Sequence, residues 1–344
     1  MRSREENLER LRNARREIAP AQKFLVKDFD QEDAQGIAQL YYAVYGENFA
    51  FDSVYDPEWI IEAHAKGQTH CVVGRTEAGD VVGLYSLFRN PPGKRIMEAG
   101  SWIVLPAYRN STLAMRLAQR IHANPPAHLG IDIIFGQSVC DHCITQKMVA
   151  KYKACSCALE LEAMPPRPED ARGRSGGRIT LLDGFVPIRD APHAIHLPDV
   201  YAGALRGMYA SWGLRRDFLE DGPPRAETRF SVHSMDAASL VRMTIDAVGR
   251  DLPVRLELFE RDYPDRQIAH LVIPLWRPGA SLAVEIARKA GFFLGGLLPL
   301  WADRDMLLLQ KLRTPPDYSK IQLYTREAKD LLELVARDQA SLAA

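Results

Sequence analysis

The alternation of apolar and polar side chains divides the chain into short, well-punctuated segments. KFLVKDF (23–29) predicts a strand. DQEDAQGIAQLYYAVYG (30–46) opens with acidic residues and continues with apolar spacings of three and four, which predicts a helix. NFAFDSVYDPEWIIEAHAKG (48–67) holds a turn at Asp56-Pro57 and a second short helix. HCVVGRTEAGDVVGLYSLF (70–88) predicts a hairpin turning at Glu77–Asp80. EAGSWIVL (98–105) predicts a strand, STLAMRLAQRIHA (111–123) a helix, GIDIIFGQSV (130–139) a strand, CITQKMVAKYKA (143–154) a helix and SCALELEAM (156–164) a strand. Residues 23–164 therefore run β-α-α-β-β-β-α-β-α-β, a mixed sheet flanked by helices, and the fold class is α/β with an α+β mixed sheet.

PPRPEDARGRSGGR (165–178) loses all apolar period and predicts a linker. Beyond it GRITLLDGFVPI (177–188) predicts a strand and LPDVYAGALRGMYASWGL (197–214) a helix. EDGPPRAE (220–227) predicts a loop. RFSVHSMDAASLVRMTIDAVG (229–249) reads as a strand and then a helix, and VRLELFER (254–261) and QIAHLVIPL (267–275) as strands. A helix ending at Gly291, a strand, DMLLLQKL (305–312) as another strand and a last helix, YTREAKDLLELVARDQ (324–339), complete the pattern. The expected organisation is an extension (1–22), a first domain (23–164), the linker (165–178) and a second domain (179–344). The first twenty residues, MRSREENLERLRNARREIAP, lack the apolar core of a signal peptide, and Leu8, Leu11 and Ile18 predict at most a solvated or frayed helix.

Composition narrows the picture. The 344 residues carry 44 basic and 44 acidic side chains, a balance that argues against a dedicated nucleic-acid binder. No apolar run is long enough to cross a membrane. Five cysteines (71, 140, 143, 155, 157) form no spaced framework, which fits a reduced, cytoplasmic chain. Cys140-Asp141-His142-Cys143 lacks a second ligand pair, so no metal is expected.

One stretch suggests chemistry. WIVLPAYRNSTLA (102–114) runs from an apolar strand through a proline into a polar helix start. Asn110 and Ser111 are good helix caps in their own right, and a capped helix start needs no ligand. The segment nevertheless resembles the V-x-P-x-x-[QR]-x-x-G-x-[GA] signature of the GNAT superfamily of acyl-CoA-dependent N-acyltransferases, through Val104, Pro106, Arg109 and Ala114; Thr112 stands where glycine is expected. ARKAGFFLGGLLPLWADRDMLLLQKL (287–312) resembles the ending of the same fold, without an accompanying cradle, so the resemblance implies tandem GNAT modules of which the second has no cofactor site.

The resemblance further implies an acetyl-CoA or other acyl-CoA donor, or an acyl group on phosphopantetheine, lying in a gap beside the 98–105 strand. The main chain of Trp102, Ile103 and Val104 would meet the pantetheine, with the Val104 N–H a candidate oxyanion donor. Asn110, Ser111, Thr112, Leu113, Ala114 and Met115, with Arg109, would surround the pyrophosphate, where the open N–H groups of a helix start favour an anion. Thr112 either adds a hydroxyl to that cradle or weakens it. The acceptor would be a small-molecule amine in a region that holds Tyr41, Tyr45, Phe49, Phe51 and Tyr55; Tyr41 and Tyr45, four apart, share a helix face. Glu98 is the first candidate for general base and His142 the second. Tyr152 stands near the position of a family tyrosine acid, although that position falls on Val149, and Lys153-Ala154 replaces the usual Gly-Phe. Cys140 is a candidate substrate contact, or a nucleophile if paired with His142. Two further readings stay open: an acyl carrier protein as donor, docked on Arg109, Arg116, Arg120, Lys147 and Lys151, and a non-catalytic binding protein.

Overall fold

The computed structural model describes residues 3–14, 17–49, 51–166 and 177–342. The chain groups into two compact units: residues 1–90 with 97–134, and residues 91–96 with 135–344. Most of the linker expected at 165–178 lies outside the described residues.

The first unit is built from α1 (Arg4–Asn13), β1 (Phe24–Asp28), α2 (Asp33–Tyr45), α3 (Pro57–Ala65), β2 (Thr69–Thr76), β3 (Val81–Phe88), β4 (Ile96–Val104) and α4 (Leu113–His122). Its strands lie in the order β1-β2-β3-β4, each antiparallel to the next. One face of this sheet carries α2 and α3; Ile37, Leu40 and Tyr41 pack there with Val73, Leu84 and Ile103. Contrary to the solvated helix expected at the N-terminus, α1 buries Leu8 and Leu11 in that same core and is closed by a Ser3/Glu6 capping box. Its apolar stripe is only two residues wide, too narrow to distinguish from noise in the sequence.

α4 lies close to the sheet because glycines make room for it. Gly74 of β2 and Gly83 of β3 are directly paired, and a Cβ on either would stand 2.4 or 2.8 Å from a Leu113 methyl. The first turn of α4 thus seats Leu113 in a dent two strands wide, with Leu117 and Ile121 following at spacings of four.

The second unit contains β5 (Ile133–Val139), α5 (Ile144–Ala150), β6 (Cys155–Met164), β7 (Ile179–Pro187), β8 (His193–His196), α6 (Ala202–Trp212), β9 (Arg216–Leu219), β10 (Arg229–Met235), β11 (Leu240–Ala247), α7 (Leu252–Asp262), β12 (Ile268–Pro274), α8 (Ala280–Lys289), β13 (Phe293–Leu298), β14 (Met306–Leu312) and α9 (Arg326–Ala340). Its main sheet runs β5-β7-β6-β13-β14-β12-β11-β10. The strand expected to open the second domain, β7, is inserted between β5 and β6, and β14 is inserted in the same way between β12 and β13. Two like arrangements therefore meet edge to edge at β6 and β13. Only Gly296 and Ala158 pair there, and a Cβ on Gly296 would stand 2.2 Å from the Cys157 carbonyl. The fully buried Gln310 of β14 completes this seam: its amide donates to the carbonyls of Leu159 and Leu294 and accepts the Leu161 N–H.

Two segments take the opposite element to the one expected. Residues 240–247, read as helix, form β11, whose burial alternates from Val241 to Ala247 as a half-covered strand requires. VRLELFER, read as a strand, lies in α7: Leu252, Leu256 and Phe259 are buried at helical spacing, and Pro253 sits in the first turn. The alternation at 254–258 misled because the residues that decide the period flank it.

Candidate active site

β4 carries a local irregularity at the centre of the first unit. Its register against β3 pairs Leu84 with Ile103 and Ser86 with Gly100, so Tyr85 opposes two residues, Ser101 and Trp102. This is a β-bulge, and Ser101 adopts a φ of 53° there, unusual for a residue with a Cβ. The extra residue re-aims the strand. Glu98, Gly100 and Ser101 line one cavity, whereas Trp102 stacks on Tyr85, ring centroids 4.6 Å apart, which in turn meets His122 of α4.

That cavity has a volume of about 440 Å³ and lies between α2, α3 and the faces of β2, β3 and β4. Its walls are aromatic: Tyr41, Phe49, Phe51, Trp59 and Phe88. Tyr41 packs edge-on to Phe49 at 5.0 Å, Phe49 reaches Phe51 at 6.1 Å, and Tyr45 lies 5.0 Å from Phe49 without lining the cavity itself. Phe51 is 66% exposed and stands at the mouth.

Glu98 is the one carboxylate among the lining residues. The Asn90 side-chain amide donates to Glu98 Oε2 at 3.0 Å. The floor is polar. Cys71 Sγ and Ser86 Oγ lie 3.0 Å apart, and burial pushes the Cys71 thiol up to about 11, so it stays protonated. His64, absent from the sequence reading, also lines the cavity. Its Nδ1 donates to the Ile60 carbonyl, its Nε2 accepts the Cys71 N–H, and burial lowers its pKa. With both nitrogens engaged, it is a neutral structural ring. Asn90, Trp59 and His64 belong to no motif; only the folded arrangement unites them.

Past β4 the chain makes a turn of 3₁₀ helix at Pro106–Tyr108 and enters α4. Tyr108 anchors the turn by donating to the Ala19 carbonyl at 2.7 Å. Ser111 is consumed by its own cap: its hydroxyl donates to the Tyr108 carbonyl and accepts the Leu113 N–H. The N–H groups of Ala114 and Met115, in the first turn of α4, have no intrahelical acceptor. Thr112, at the N-cap, has φ −77° and makes no side-chain cap bond. Its backbone is one any residue adopts, so the departure from glycine strains nothing, and its side chain is exposed. Arg109 turns back, its Nε donating to the Val104 carbonyl. A helix start of this kind fits a phosphate through the Ala114 and Met115 amides, with Thr112 beside them.

The structure does not gather every expected residue here. Glu98, Tyr41, Tyr45 and Phe51 cluster at or beside the cavity, and Trp102–Met115 run from the end of β4 through the turn into α4, all in the first unit. His142, Tyr152 and Cys140 belong to the second. His142 Nδ1 accepts the Ile144 N–H at the start of α5, a capping role. Tyr152 is half-buried, and burial raises its pKa. Cys140 is 1% exposed and packs with Leu159 and Leu161; burial raises its thiol far above the ordinary range. It lacks the thiolate character of a nucleophile. Lys153, which replaces the expected glycine, takes the left-handed φ of 56°, and Gly291 has φ 89° after α8.

In the second unit the turn from β11 into α7 is closed by the chain itself. β11 and β12 pair in parallel only as far as Thr244 and Val272. Beyond that point Arg225 bridges to Gly249, donating to the Val248 carbonyl and accepting the Arg250 N–H. Asp251 Oδ1 accepts the Thr228 N–H at 2.7 Å. A Cβ on Gly249 would stand 2.1 Å from the backbone of Glu227 and Thr228.

No protein-family model matches the chain, and no curated protein matches it. Similar solved structures do exist. Three of them carry acetyltransferase names. A mutant form of the spermidine/spermine N-acetyltransferase SpeG from Vibrio cholerae is 13% identical over 48% of this chain and 95% of its own, with TM-score 0.37. The ribosomal-protein-S5-alanine acetyltransferase from Vibrio fischeri is 11% identical over 50% of this chain and 94% of its own, with TM-score 0.39. The protein yncA from Salmonella typhimurium, described as a putative acetyltransferase and solved with its cofactor acetyl-CoA, is 16% identical over 49% of this chain and 95% of its own, with TM-score 0.38. No helix among the described residues is long and apolar enough to cross a membrane, and no group of side chains among them could hold a metal ion.

Proposed function

We propose that this chain is an N-acyltransferase that moves an acyl group from acyl-CoA to the primary amine of a small molecule with an apolar body. The observation that carries this reading is a single carboxylate, Glu98, in an aromatic cavity on the bulged strand that leads to the open first turn of α4. The cavity selects the acceptor. About 440 Å³ falls within the range of small-molecule sites. One carboxylate suits one amine, whereas a polyamine or a basic peptide would need several.

The step itself is simple. The amine nitrogen attacks the thioester carbonyl, the carbon–sulfur bond breaks, Glu98 takes the proton the amine sheds, and the thiolate leaves to be protonated. Holding amine and thioester together in a shaped cavity supplies much of the rate. Tyr41, Phe49, Phe51, Trp59 and Phe88 hold the acceptor body and exclude water. The Ala114 and Met115 amides, with Thr112 beside them, hold the CoA phosphates.

Free CoA is favoured over a carrier-borne thioester because three of the five basic residues proposed to dock an acidic carrier are already engaged within the first unit. Arg120 pairs with Asp28, Arg116 lies over the Phe24 ring, and Arg109 folds onto Val104. The second GNAT-like module takes no cofactor in this proposal, since its own residues 225–228 close the β11–α7 turn.

The test is free-thiol release from acetyl-CoA and longer acyl-CoAs with a panel of primary amines. Turnover with 2-phenylethylamine or a similar apolar amine, exceeding that with spermidine, is the expected outcome. Thioester binding without turnover on any amine would reject the catalytic reading in favour of a binding protein.

A further inference from the structure

We propose that the Ser101 hydroxyl is a catalytic hydrogen-bond donor, held in position by Tyr41; this rests on the acyl-transfer reading above. Ser101 lies on the bulge of β4, in the cavity that holds Glu98. The bulge puts it in the left-handed region, at φ 53°, where an L residue is strained and where glycine or asparagine would sit more comfortably. A strained serine facing a cavity is a device rather than an accident of packing when something holds its side chain, and Tyr41 does. The Tyr41 hydroxyl, 3% exposed at the residue level, donates to Ser101 Oγ at 2.5 Å. With one lone pair of Oγ occupied, the serine O–H is left to donate elsewhere, and the cavity is the space beside it.

The chemistry needs such a donor. When the amine nitrogen bonds to the carbonyl carbon, the carbonyl π pair moves onto oxygen and an oxyanion forms. That pair returns as the carbon–sulfur bond breaks and its electrons leave with the thiolate. Ser101 keeps its proton throughout and donates a hydrogen bond to the oxyanion, while Glu98 receives the proton of the amine. Tyr41 is a positioning residue: it fixes the serine rotamer, and by donating to Oγ it makes the serine proton a better donor.

The experiment compares S101G, Y41F and the S101G/Y41F double variant with the unsubstituted protein. Thiol release is followed with acetyl-CoA and 2-phenylethylamine, and melting temperature is recorded in parallel. Loss of one oxyanion donor is worth about 10²-fold in kcat, and that loss is expected for S101G with KM for both substrates nearly unchanged. Y41F is expected to lose about tenfold, and the double variant no more than S101G alone, because Tyr41 acts only through the serine. The double variant, which removes the strain and orphans no hydroxyl, is expected to melt no lower than the unsubstituted protein. Wild-type kcat in S101G overturns the assignment alone. Losses in kcat that track losses in melting temperature also overturn it. Absence of thiol release from the unsubstituted protein overturns the acyl-transfer reading and this assignment together.

Discussion

Glu98 sits near the start of a bulged strand, held by Asn90 and sharing a cavity with five aromatic rings. A carboxylate in that setting can accept a proton from an amine without leaving its place, which is what a general base requires. Glu98→Gln keeps the shape and the Asn90 contact but cannot take the proton. The expected result is a fall of about 10²- to 10⁴-fold in kcat/KM for the amine, with CoA binding retained. Steady-state kinetics checks this: a variant within threefold of the parent would remove Glu98 from the mechanism. Glu98, Tyr41 and Phe51 could be read from the sequence because each is a chemical type expected near a predicted strand or helix. Ser101 could not: nothing in Gly100-Ser101-Trp102 announces that the serine, not the glycine, takes the positive φ. His142 and Cys140 drew attention as reactive types, yet one caps a helix and the other fills a core.

Between residues and molecule lie the elements that aim the site, and the N-terminal helix is the one whose role was hardest to see. Arg4 of α1 donates to the carbonyls of Glu47 and Phe49, pairs with Asp52 and lies 5.3 Å over the Tyr55 ring. Tyr55 itself donates to the Gly46 carbonyl and accepts the Phe49 N–H. Arg12 adds an ion pair to Glu47. The loop that presents Phe49 and Phe51 to the cavity is thus gathered onto α1 by the guanidiniums of Arg4 and Arg12 and stiffened by the Tyr55 phenol. Exposed ion pairs of this kind are each worth under about 1 kcal/mol. The carbonyl contacts matter more, because they fix backbone. Arg4→Gln should loosen residues 46–55, raising KM for the amine about three- to tenfold and leaving KM for acyl-CoA unchanged. Faster amide exchange in that loop is the direct measurement; unchanged exchange would reduce α1 to a packing element. Periodicity found α2, α4 and most strands because their buried faces are wide. It failed over 236–262, where the hairpin of β10 and β11 passes through a 3₁₀ turn with Ser239 at φ 48°. Alternation at 254–258 then imitated a strand inside α7.

Pairing order is a property of the whole chain, and it is where local pattern has least to say. That β7 would leave the second half to lie between β5 and β6 depends on pairings tens of residues apart, and that Gln310 would complete a seam where Gly296 pairs with Ala158 depends on contacts more than a hundred residues apart. Buried ionisable groups distributed through both units add a property that can be measured on the intact chain. His70 and His122 in the first unit and His270 in the second are each held by burial at a pKa of about 4, against an ordinary 6.5. His270, fully buried, faces Arg242 at 3.2 Å and Glu160 at 3.9 Å; His122 bonds to the Tyr85 hydroxyl, and His70 lies 3.7 Å from Asp28. Between pH 6.5 and 4 the unfolded chain therefore binds more protons at these sites than the folded one does. Stability must fall as pH falls through that window, because protonation favours the unfolded state. Carboxylates add a second stage. Asp305, buried, is held against that burial at about 2 rather than an ordinary 3.8 by His193 and Arg216, so its contribution is present above that ordinary value and is lost as the pH drops from about 4 to 2. Urea midpoints between pH 7 and 3 should decline from the first acidic step below neutrality, before any carboxylate of ordinary pKa titrates. Replacing His122 and His270 with glutamine should flatten the decline between pH 6.5 and 4 while leaving the later one in place. A midpoint that holds steady from pH 7 to 4.5 would mean that these rings accept protons in the folded state and are not buried as described.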